Sequence, residues 1–464
     1  MRKNKYDTLK KNTIIFAIGN IGSSLVSFFL LPLFTNFLSS SEYGEIDFFL
    51  VSITMLLPIF TLNFTEVIIR FGLDKKYKID KVISTVIYTI VGIFILNFIL
   101  ILFLNILGIN LKKYILFSVL LCLNSTYELL KHYVRSLEMI TTFAIGDIVY
   151  TTVFCIINIV FIIKFKMGMN GYFAAYISAH LIYIFFIMLS TKAYKNIKIR
   201  YYDFKYFKEF IKYSLPLIPN SLSSWIISVS DRFMIKIFLG YQDLGIYSVS
   251  NKIPQILTTF YSLFFKAWQI SSIKELNKSD TEEFYSKIFD LLIKFMFGVC
   301  ILILLGINFI FYIFIGEDFR EAIYYVPILV LAIVFYALSS FLGTIYTAYK
   351  QSNKIFKSTI IAAMLNILVN LILLKKFGVI IACISTLLSY VVLFIYRYYD
   401  SKKIMRININ IKHILISIIL IFIMIININL LGLSYWNIII NSFFGCIYIF
   451  MSIKEIKKIL MFKR

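Results

Sequence analysis

Charged side chains occur inside the long apolar stretches of this sequence, and the densest group lies in segment 212–252. Asp231, Arg232 and Lys236 stand near the end of one apolar stretch, and Lys252 lies in the next. An arginine or lysine at the centre of a bilayer costs roughly 2.5–3.5 kcal/mol on the insertion scale, so it usually has a partner or a function. Because guanidinium and ammonium groups bind phosphate and carboxylate oxygens, the group predicts a site for an anion.

Polar residues at helical spacing extend this group along two helices. Ser221, Ser224 and Ser228 recur every three or four residues, which places them on one helix face that continues to the three charges. Lys252 and Gln255 belong to a similar face of the next helix. Polar faces within lipid line a water-filled cavity or bind a neighbouring helix through their hydroxyls, and the charges favour the cavity.

The heights of the charges along their helices allow more than one arrangement. At a rise of 1.5 Å per residue, Asp231 and Arg232 lie about 28–30 Å from Lys212, and Lys252 lies roughly 10 Å from the outer end of its own helix. If the two helices are neighbours, Asp231 pairs with Lys252 and leaves Arg232 for an anionic ligand. Lys236 either lines the cavity or extends its ammonium group to the membrane surface.

Three further charges, Glu66, Arg70 and Asp147, are candidates for a gate or for ion coupling. Glu66 and Arg70 are four residues apart, a spacing that predicts an ion pair within one helix, with a substrate gate as the alternative. Asp147 lies about one and a half turns into its apolar stretch, where it would line the mouth of a cavity. Sodium ions and protons are both candidates for the coupling ion.

The elements that must position these residues are membrane-spanning helices. The chain has 464 residues, of which 60% are hydrophobic and only 15% charged, with a mean hydropathy of +0.86. Average soluble domains are about 25% charged, so the composition excludes a soluble protein, a disordered chain and a disulfide-rich secreted domain. A span needs about 20 apolar residues, and at roughly 33 residues per span plus loop the length accommodates about 14 transmembrane helices. Continuous apolar runs indicate an all-α protein and exclude a β-barrel.

The apolar runs give the boundaries of these helices. The predicted spans are 12–38, 46–70, 82–107, 112–134, 141–164, 169–191, 212–239, 245–270, 286–315, 322–349, 357–375, 377–398, 411–431 and 435–453. The basic stretch before the first span is not followed by a cleavage site of small residues. We therefore expect the first span to be retained and not removed as a signal peptide.

Basic residues determine the orientation of these helices. The net charge is +23, and about 35 of the 47 Lys and Arg residues fall on one side of the membrane when the spans alternate. By the positive-inside rule that side is the cytoplasm, so both termini are predicted to be cytoplasmic. The positive charge is explained by cytoplasmic loops, and no nucleic-acid partner is expected.

An internal repeat divides the chain into two similar halves. The residue types at 37–38 and 42–44 recur at 238–239 and 243–245, each 201 positions later, and a second match links 171–183 with 378–390. An even number of spans separates the matching helices, so the two copies have parallel orientation. The predicted domains are a six-helix lobe at 1–205, a second six-helix lobe at 206–400, and an extra helix pair with a basic tail at 401–464. Two-lobe transporters bind their substrate between the lobes.

Motifs of other functional classes are absent from the sequence. There is no G-x-x-x-x-G-K-[ST] phosphate-binding loop, no H-E-x-x-H motif and no other metal-ligand spacing. The five cysteines are separated within apolar stretches and are interpreted as small apolar residues. No cofactor or metal is therefore expected. With no long external domain to hold a catalytic site, the chain is not expected to be an enzyme.

A resemblance to a known family is carried by segments 12–20, 31–33, 38–44, Leu215-Pro216-Leu217-Ile218-Pro219, Trp225, Asp231-Arg232, 245–248, Lys252 and 377–390. In these segments the chain resembles the bacterial oligosaccharide flippases, the polysaccharide biosynthesis proteins of the O-antigen-flippase type. Those proteins share a superfamily with the multidrug and toxin extruders and the lipid II flippase. The resemblance covers essentially the whole chain and consists of helix patterns without a single diagnostic motif. It implies 12 to 14 helices in two lobes with the fold of the multidrug and toxin extruders.

The resemblance also implies a function. Such flippases turn a lipid-linked oligosaccharide, usually carried on undecaprenyl diphosphate, from the cytoplasmic to the outer leaflet of the bacterial cytoplasmic membrane. Cations in the cavity hold the diphosphate, a role that falls to Arg232 and Lys252 and less directly to Lys236 and Arg70. This sequence has no basic residue between positions 12 and 38, which argues against lipid II as the cargo.

The expected partners are the lipid-linked oligosaccharide, the lipid bilayer, a coupling sodium ion or proton, and other membrane proteins of polysaccharide assembly. A multidrug or toxin extruder of the same fold is the first alternative. It would bind organic cations in an acidic or aromatic cavity, so the basic residues of segment 231–252 argue against it. A membrane-embedded polysaccharide polymerase or transferase is the second alternative, and the short external loops argue against that.

Overall fold

The computed structural model describes residues 29–106, 112–274, 281–349, 351–432 and 434–461. These residues form helices and no strands, because a helix pairs its backbone polar groups internally where lipid offers no partners. Within the described ranges, ten helices are long and apolar enough to cross a membrane by length and composition. The chain is thus an all-α, multi-pass membrane protein, as the sequence predicts. The predicted first span falls mostly outside the described residues, and the total of about 14 stays a prediction.

The helices of the first part of the chain lead up to a basic linker. In chain order they are α1 (Leu31–Phe37), α2 (Ser40–Phe60), α3 (Phe64–Gly72), α4 (Ile79–Ile106), α5 (Lys112–Ser136), α6 (Ile140–Asn158), α7 (Gly168–Ser190), α8 (Ala193–Asn196) and α9 (Phe204–Ser214). A π-helical segment, Ile159–Lys164, extends α6 to the length of a span. A 3₁₀ turn, Ile199–Tyr201, lies in the linker between α8 and α9.

The remaining helices include the longest and most apolar of the chain. They are α10 (Leu217–Phe238), α11 (Tyr241–Ser250), α12 (Lys252–Lys274), α13 (Thr281–Phe314), α14 (Val326–Ala348), α15 (Ser352–Phe377), α16 (Ile380–Ser401), α17 (Ile411–Leu431) and α18 (Tyr435–Met461). A 3₁₀ segment, Glu317–Tyr324, precedes α14. The helices α5, α10 and α12 have the length of a span, but they carry more polar side chains than the ten apolar helices.

The first compact unit comprises described residues 29–33 and 45–230. Here α6 packs against α7, and α5 contacts both α3 and α7. Aromatic and branched side chains from α5, α6 and α7 form a buried cluster of Tyr127, Leu130, Val134, Phe143, Tyr183 and Ile187. Gly146 allows the approach of α6 and α7, since an added Cβ atom would lie 2.9 Å from the ring of Tyr183.

The second compact unit comprises described residues 34–44 and 231–461. Its central helix is α14, which is buried along most of its length and packs against α12, α13 and α16. The C-terminal pair α17 and α18 packs on α13. Asparagines take part in both contacts: Asn437 of α18 donates to Asn308 Oδ1 of α13 at 3.5 Å, and Asn427 of α17 donates to Asn441 Oδ1 of α18 at 2.9 Å. The predicted domain boundaries at 205/206 and 400/401 stay predictions.

Two of the predicted spans are each divided into two helices. The span predicted at 46–70 is split between α2 and α3, because Leu62 and Asn63 have positive φ angles of 49° and 55° that interrupt the helix. The span predicted at 245–270 is split between α11 and α12 at Asn251. Pro254 lies in the first turn of α12, where a missing backbone N–H is tolerated. Apolar periodicity does not reveal these breaks, since both sides of each break remain hydrophobic.

Candidate functional site

Asp231 is the centre of a buried polar cluster in the second unit. Its side chain is 9% exposed, and its two oxygens accept three hydrogen bonds. Asn370 donates to Oδ1 at 2.6 Å, while Thr386 and Tyr247 donate to Oδ2 at 2.8 and 3.1 Å. All three partners are neutral, and the ion pair with Lys252 considered from the sequence is not formed. The carboxylate instead connects α10 to α11, α15 and α16.

A second layer of polar side chains surrounds this carboxylate. Ser385 donates to Asn370 Oδ1 at 3.1 Å, and Asn366 Oδ1 lies 3.3 Å from Asn370 Nδ2. Asn366 in turn donates to the Ser385 hydroxyl at 3.3 Å. A buried carboxylate that is held by neutral donors has the chemistry to take up a proton. The amide oxygens of the second layer could also serve a hard cation such as sodium if they turned toward the carboxylate. Among the residues that the structure describes, no group of three or more His, Cys, Asp or Glu side chains is placed to hold a metal ion.

Arg232 and Lys236 follow Asp231 on α10. Both side chains are half-buried. The Lys236 ammonium lies over the ring of Tyr241, 5.6 Å from its centroid, in a cation–π contact across the turn between α10 and α11. This contact holds Lys236 at the end of α10. Arg232, one residue from the Asp231 cluster, remains the α10 cation predicted to bind an anion.

Lys252 begins α12, immediately after the break at Asn251, and its side chain is half-buried. Gln255, one turn later, is exposed. The predicted polar face of span 245–270 therefore starts at a helix boundary and does not run along one uninterrupted helix. The side chain of Ser228 lies outside the part of the chain whose side chains the structure describes.

Glu66 and Arg70 share a face of α3, but they do not form the ion pair predicted from their spacing. Neither residue has an ionic partner within 4.0 Å in the described part of the chain, and both are exposed. The opposite face of α3 is buried and includes Val67 and Phe71. Helical spacing permits an ion pair worth only about 0.2–0.5 kcal/mol, which does not fix the two side chains. A gate role for this exposed face stays a prediction.

Asp147 has a cationic partner that sequence reasoning missed. It is 7% exposed, and the Lys131 ammonium lies 2.9 Å from its Oδ1 atom. The Tyr127 hydroxyl donates to the same oxygen at 3.2 Å. The rings of Tyr127 and Phe143 lie 5.2 Å from the Lys131 ammonium. Asp147 is therefore part of an ion pair that joins α5 to α6, and not an isolated acid at a cavity mouth.

The sequence signal for the Lys131–Asp147 ion pair is the spacing of Tyr127 and Lys131, which lie one helical turn apart. His180 belongs to the same region: its Nδ1 lies 2.8 Å from the carbonyl of Tyr176, and its ring packs against the ring of Tyr127. No local pattern links Lys131 to Asp147, because they lie on different helices.

Arg397 is a second buried cation that the sequence analysis did not select. It is 5% exposed and lies on α16. Its three nitrogens donate to Ser358 Oγ, to the Ser339 carbonyl and to Thr359 Oγ1, each at 3.0 Å. Gly343 makes room for it, since a Cβ atom there would lie 2.9 Å from the guanidinium. Arg397 thereby fastens α14, α15 and α16 together.

Sequence comparisons match this chain to several protein families. The model of the family described as polysaccharide biosynthesis protein matches residues 9–269, more than half of the chain. The model of the lipid II flippase MurJ matches residues 313–449, and the MatE model matches residues 216–372. The probable low-salt glycan biosynthesis flippase Agl15 of Haloferax volcanii is 26% identical over 204 residues, which are 41% of this chain and 41% of that protein. The match therefore spans less than half of this relative.

Solved structures of similar architecture come from two groups of transporters. The lipid II flippase MurJ in its inward closed conformation has a TM-score of 0.69 at 18% identity, covering 97% of this chain and 100% of that chain. A multidrug resistance MATE family transporter in its inward-facing conformation has a TM-score of 0.62 at 13% identity, covering 83% and 98%. At these identities the likeness establishes the fold alone, and it confirms the predicted architecture of the multidrug and toxin extruders.

Proposed function

This chain belongs to the polysaccharide biosynthesis protein family, and from that premise we propose that it is a flippase for a lipid-linked oligosaccharide. The cargo crosses from the cytoplasmic to the outer leaflet of a bacterial cytoplasmic membrane, and both termini of the chain are cytoplasmic. No covalent bond is made or broken, so the protein is not an enzyme. Its other partners are the coupling ion and the membrane proteins that build the polysaccharide.

The physical problem solved by such a protein is the passage of sugars and a diphosphate through hydrocarbon. Removing polar groups from water without partners costs several kcal/mol each, and an unpaired charge costs more. Cationic and hydroxyl side chains inside the membrane replace part of the lost water around the head group. The prenyl chain needs no such help, because it is as apolar as the lipid.

The environment of Lys252 is the observation that carries this proposal. It is a half-buried cation within a predicted span, and no carboxylate of the described residues lies within 4.0 Å of its ammonium. An intramembrane lysine without an acidic partner is expected to be functional. Its charge suits the diphosphate of the cargo and opposes the organic cations that multidrug extruders bind.

The comparisons support the same function through names and family membership. The matched region of Agl15 belongs to a protein named as a probable glycan biosynthesis flippase, and the family description concerns polysaccharide biosynthesis. The fold occurs in both a lipid II flippase and a multidrug transporter, so fold alone does not choose between cargoes. The family that matches more than half of the chain favours the glycan.

We place ion coupling at the Asp231 cluster. The buried carboxylate accepts hydrogen bonds from the neutral side chains of Asn370 and Thr386, so it can take up a proton. A sodium ion would need the amide oxygens of Asn366 and Asn370 to turn toward the carboxylate. Four helices contribute to this cluster, so a change in its charge would alter contacts among α10, α11, α15 and α16. Asp147 is less suited to coupling, because Lys131 already neutralises its charge.

A vesicle assay tests the proposed function. The full-length protein is reconstituted with a fluorescent undecaprenyl-diphosphate oligosaccharide, and the label exposed on the outer surface is bleached at timed intervals. Wild-type protein should speed translocation, Lys252→Gln should slow it at least tenfold, and Lys252→Arg should retain most activity because it keeps the charge. Lys375→Gln is the matched control, since Lys375 is an exposed lysine at the end of α15.

Two outcomes would replace the proposal. Export of fluorescent organic cations without movement of the glycolipid would identify a multidrug extruder. New glycosidic bonds, found by mass spectrometry of the lipid-linked sugar, would identify a polymerase or transferase.

A further inference from the structure

A groove opens on the surface of the first unit, between α4 and the linker that leads to α9. Its volume is about 690 Å³. One wall is formed by residues 88–96 of α4, and the other by Ile199, Tyr202 and Phe207. Nearly all lining side chains are apolar or aromatic, so the groove suits a hydrocarbon chain and not a sugar or a nucleotide.

The linker is fastened to α4 just before the groove begins. Ser84 donates to the carbonyl of Asn196 at 2.9 Å, and the backbone N–H of Asp203 donates to Thr85 Oγ1 at 3.1 Å. Lys81 forms an ion pair with Asp203 at 2.8 Å, and its hydrogen bond holds the pKa of that carboxyl below its usual range. The pair is therefore ionised at neutral pH. These contacts fix the linker wall of the groove relative to α4.

The groove extends from this fastening point into the depth of the membrane. Leu96 lies 11 residues beyond Thr85, which is about 16 Å at the rise of an α-helix. Half of the hydrocarbon core of a bilayer is about 15 Å thick. The linker thus lies near the surface of one leaflet, and the α4 wall runs down through that leaflet.

The apolar walls are not covered by the chain itself. Ile199 is 74% exposed and Leu96 is 68% exposed. Two exposed walls that face one groove leave room for an apolar chain from the surrounding leaflet. Gly92, in the middle of the α4 wall, has no atom within 4 Å of the position where a Cβ would lie, so the space there is open.

The rim of the groove is basic. Ile199 and Tyr202 of the linker and Phe207 of α9 each have a basic residue within three positions along the chain. These basic residues are Lys198, Arg200, Lys205 and Lys208. The neighbouring acids have other partners: Asp203 pairs with Lys81, and Glu209 accepts a hydrogen bond from Tyr77. An anionic head group at the membrane surface would therefore meet net positive charge along this wall of the groove.

We propose that this groove is a binding site for an anionic phospholipid of the leaflet that borders the linker. An acyl chain occupies the space beside Gly92 and Leu96, and the phosphate lies against Arg200 and Lys208. The bulk anionic lipid is favoured over the lipid-linked cargo because the lining of the groove supplies few polar partners for the sugars of the cargo. The proposal is independent of what the protein translocates.

Two kinds of variant test separately how the groove binds the acyl chain of the lipid and how the basic residues bind its head group. Gly92→Phe fills the groove with a ring where the backbone has open space, so the helix need not move. Its matched control is Gly306→Phe on α13, where an added Cβ meets only the side-chain tip of Ile310 at 3.9 Å. The triple change Arg200→Gln, Lys205→Gln and Lys208→Gln removes three exposed charges of the rim without touching a buried side chain.

Native mass spectrometry of the full-length protein tests the site. The protein is taken from nanodiscs of phosphatidylcholine that contain a titrated fraction of phosphatidylglycerol. Wild-type protein and Gly306→Phe should retain one phosphatidylglycerol. Gly92→Phe should weaken retention at least tenfold, and the triple variant should weaken it roughly a hundredfold, on the order of fivefold for each basic residue.

Three results would overturn the proposal. Equal retention of phosphatidylcholine would show that the rim does not select an anion. Undiminished retention by Gly92→Phe would place the lipid elsewhere. Displacement of phosphatidylglycerol by undecaprenyl phosphate at equimolar concentration would assign the groove to the prenyl cargo. Because lipid retention is read without any transport assay, failure here and failure of the proposed function are distinguishable.

Discussion

Gly44 and Gly245 face each other where α2 crosses α11, and each lies against the backbone of the other helix. A Cβ atom added to Gly44 would be 1.9 Å from the carbonyl oxygen of Tyr241, and one added to Gly245 would be 1.9 Å from the carbonyl oxygen of Ser40. The two contacts are equivalent, since Ser40 and Tyr241 each precede one of the glycines by four residues. The glycines are also 201 positions apart, the offset of the sequence repeat.

This crossing gives the repeated glycines a physical function. Two helices can approach with their backbones in contact only where neither has a side chain. The repeat therefore preserves a pair of glycines because each copy must accommodate the other. The same symmetry does not extend to the charges, since Leu31 and Val51 occupy the positions equivalent to Arg232 and Lys252.

We predict that Gly44→Ala and Gly245→Ala destabilise the protein. The added methyl group would meet a backbone carbonyl, which cannot rotate away, so the expected loss is about 1–3 kcal/mol of unfolding free energy. Intrinsic helix propensity predicts the opposite sign, because alanine favours a helix over glycine by about 0.8–1.0 kcal/mol. Thermal unfolding in detergent distinguishes the two. Gly306→Ala is the control and should be neutral or stabilising; equal behaviour of all three variants would refute a close crossing.

A second prediction concerns Asp231 and Arg232. Since the carboxylate is hydrogen-bonded by Tyr247, Asn370 and Thr386, the two adjacent charges are not a self-contained ion pair. Arg232→Gln should slow glycolipid translocation in vesicles at least tenfold, and adding Asp231→Asn should not restore it. Removing both members of a simple structural pair costs less than removing one, so recovery in the double variant would show that Arg232 only neutralises Asp231.

For the Lys131–Asp147 pair, in contrast, we expect the double variant to recover most of what the single variant loses. Lys131→Met leaves a buried carboxylate without its cation and should lower the free energy of unfolding by about 3–5 kcal/mol. Adding Asp147→Leu should recover most of that loss, because the pair is then replaced by apolar side chains among aromatic rings. Denaturation of the purified variants measures both steps. If the double variant is stable but its transport no longer depends on pH or sodium, Asp147 is a coupling residue and its pairing is not merely structural.

Topology can be read from single cysteines in a background without the native ones. Gln242, in the first turn of α11, and Glu317, at the start of the 3₁₀ segment before α14, are exposed. Gln242→Cys and Glu317→Cys should therefore react with an impermeant maleimide in intact cells. Lys195→Cys, in α8 just before the basic linker, should react only after permeabilisation, since basic loops remain in the cytoplasm. Ser40 lies between the first two predicted spans, which the same orientation also places outside, but it is only 6% exposed and is therefore a poor labelling site. Reaction of Lys195→Cys in intact cells would reverse the orientation.

The sequence by itself determined the class of this protein and the approximate position of its helices. Lipid imposes this result, because each span must be about 20 apolar residues long and must satisfy its own backbone. That requirement is local and can be read from hydropathy. The repeat and the family resemblance likewise depend on residues in linear order. Arg232 and Lys252 were selected because a charge inside an apolar run is conspicuous.

Only the tertiary structure decided which side chains are partners. Asp231 accepts a hydrogen bond from Asn370, 139 positions away, and does not pair with Lys252. The opposite charges of Asp231 and Lys252 and their similar depth in the membrane had suggested that ion pair. Asp147 is bonded by Lys131 from another helix, while Glu66 and Arg70, well spaced on one helix, remain apart. Intrahelical spacing is a weak constraint of a few tenths of a kcal/mol, whereas burial makes an unmet hydrogen bond cost about 1–3 kcal/mol. The packing of the helices therefore determines which side chains become partners. Because the packed helices come from distant parts of the chain, local sequence patterns do not reveal these partners.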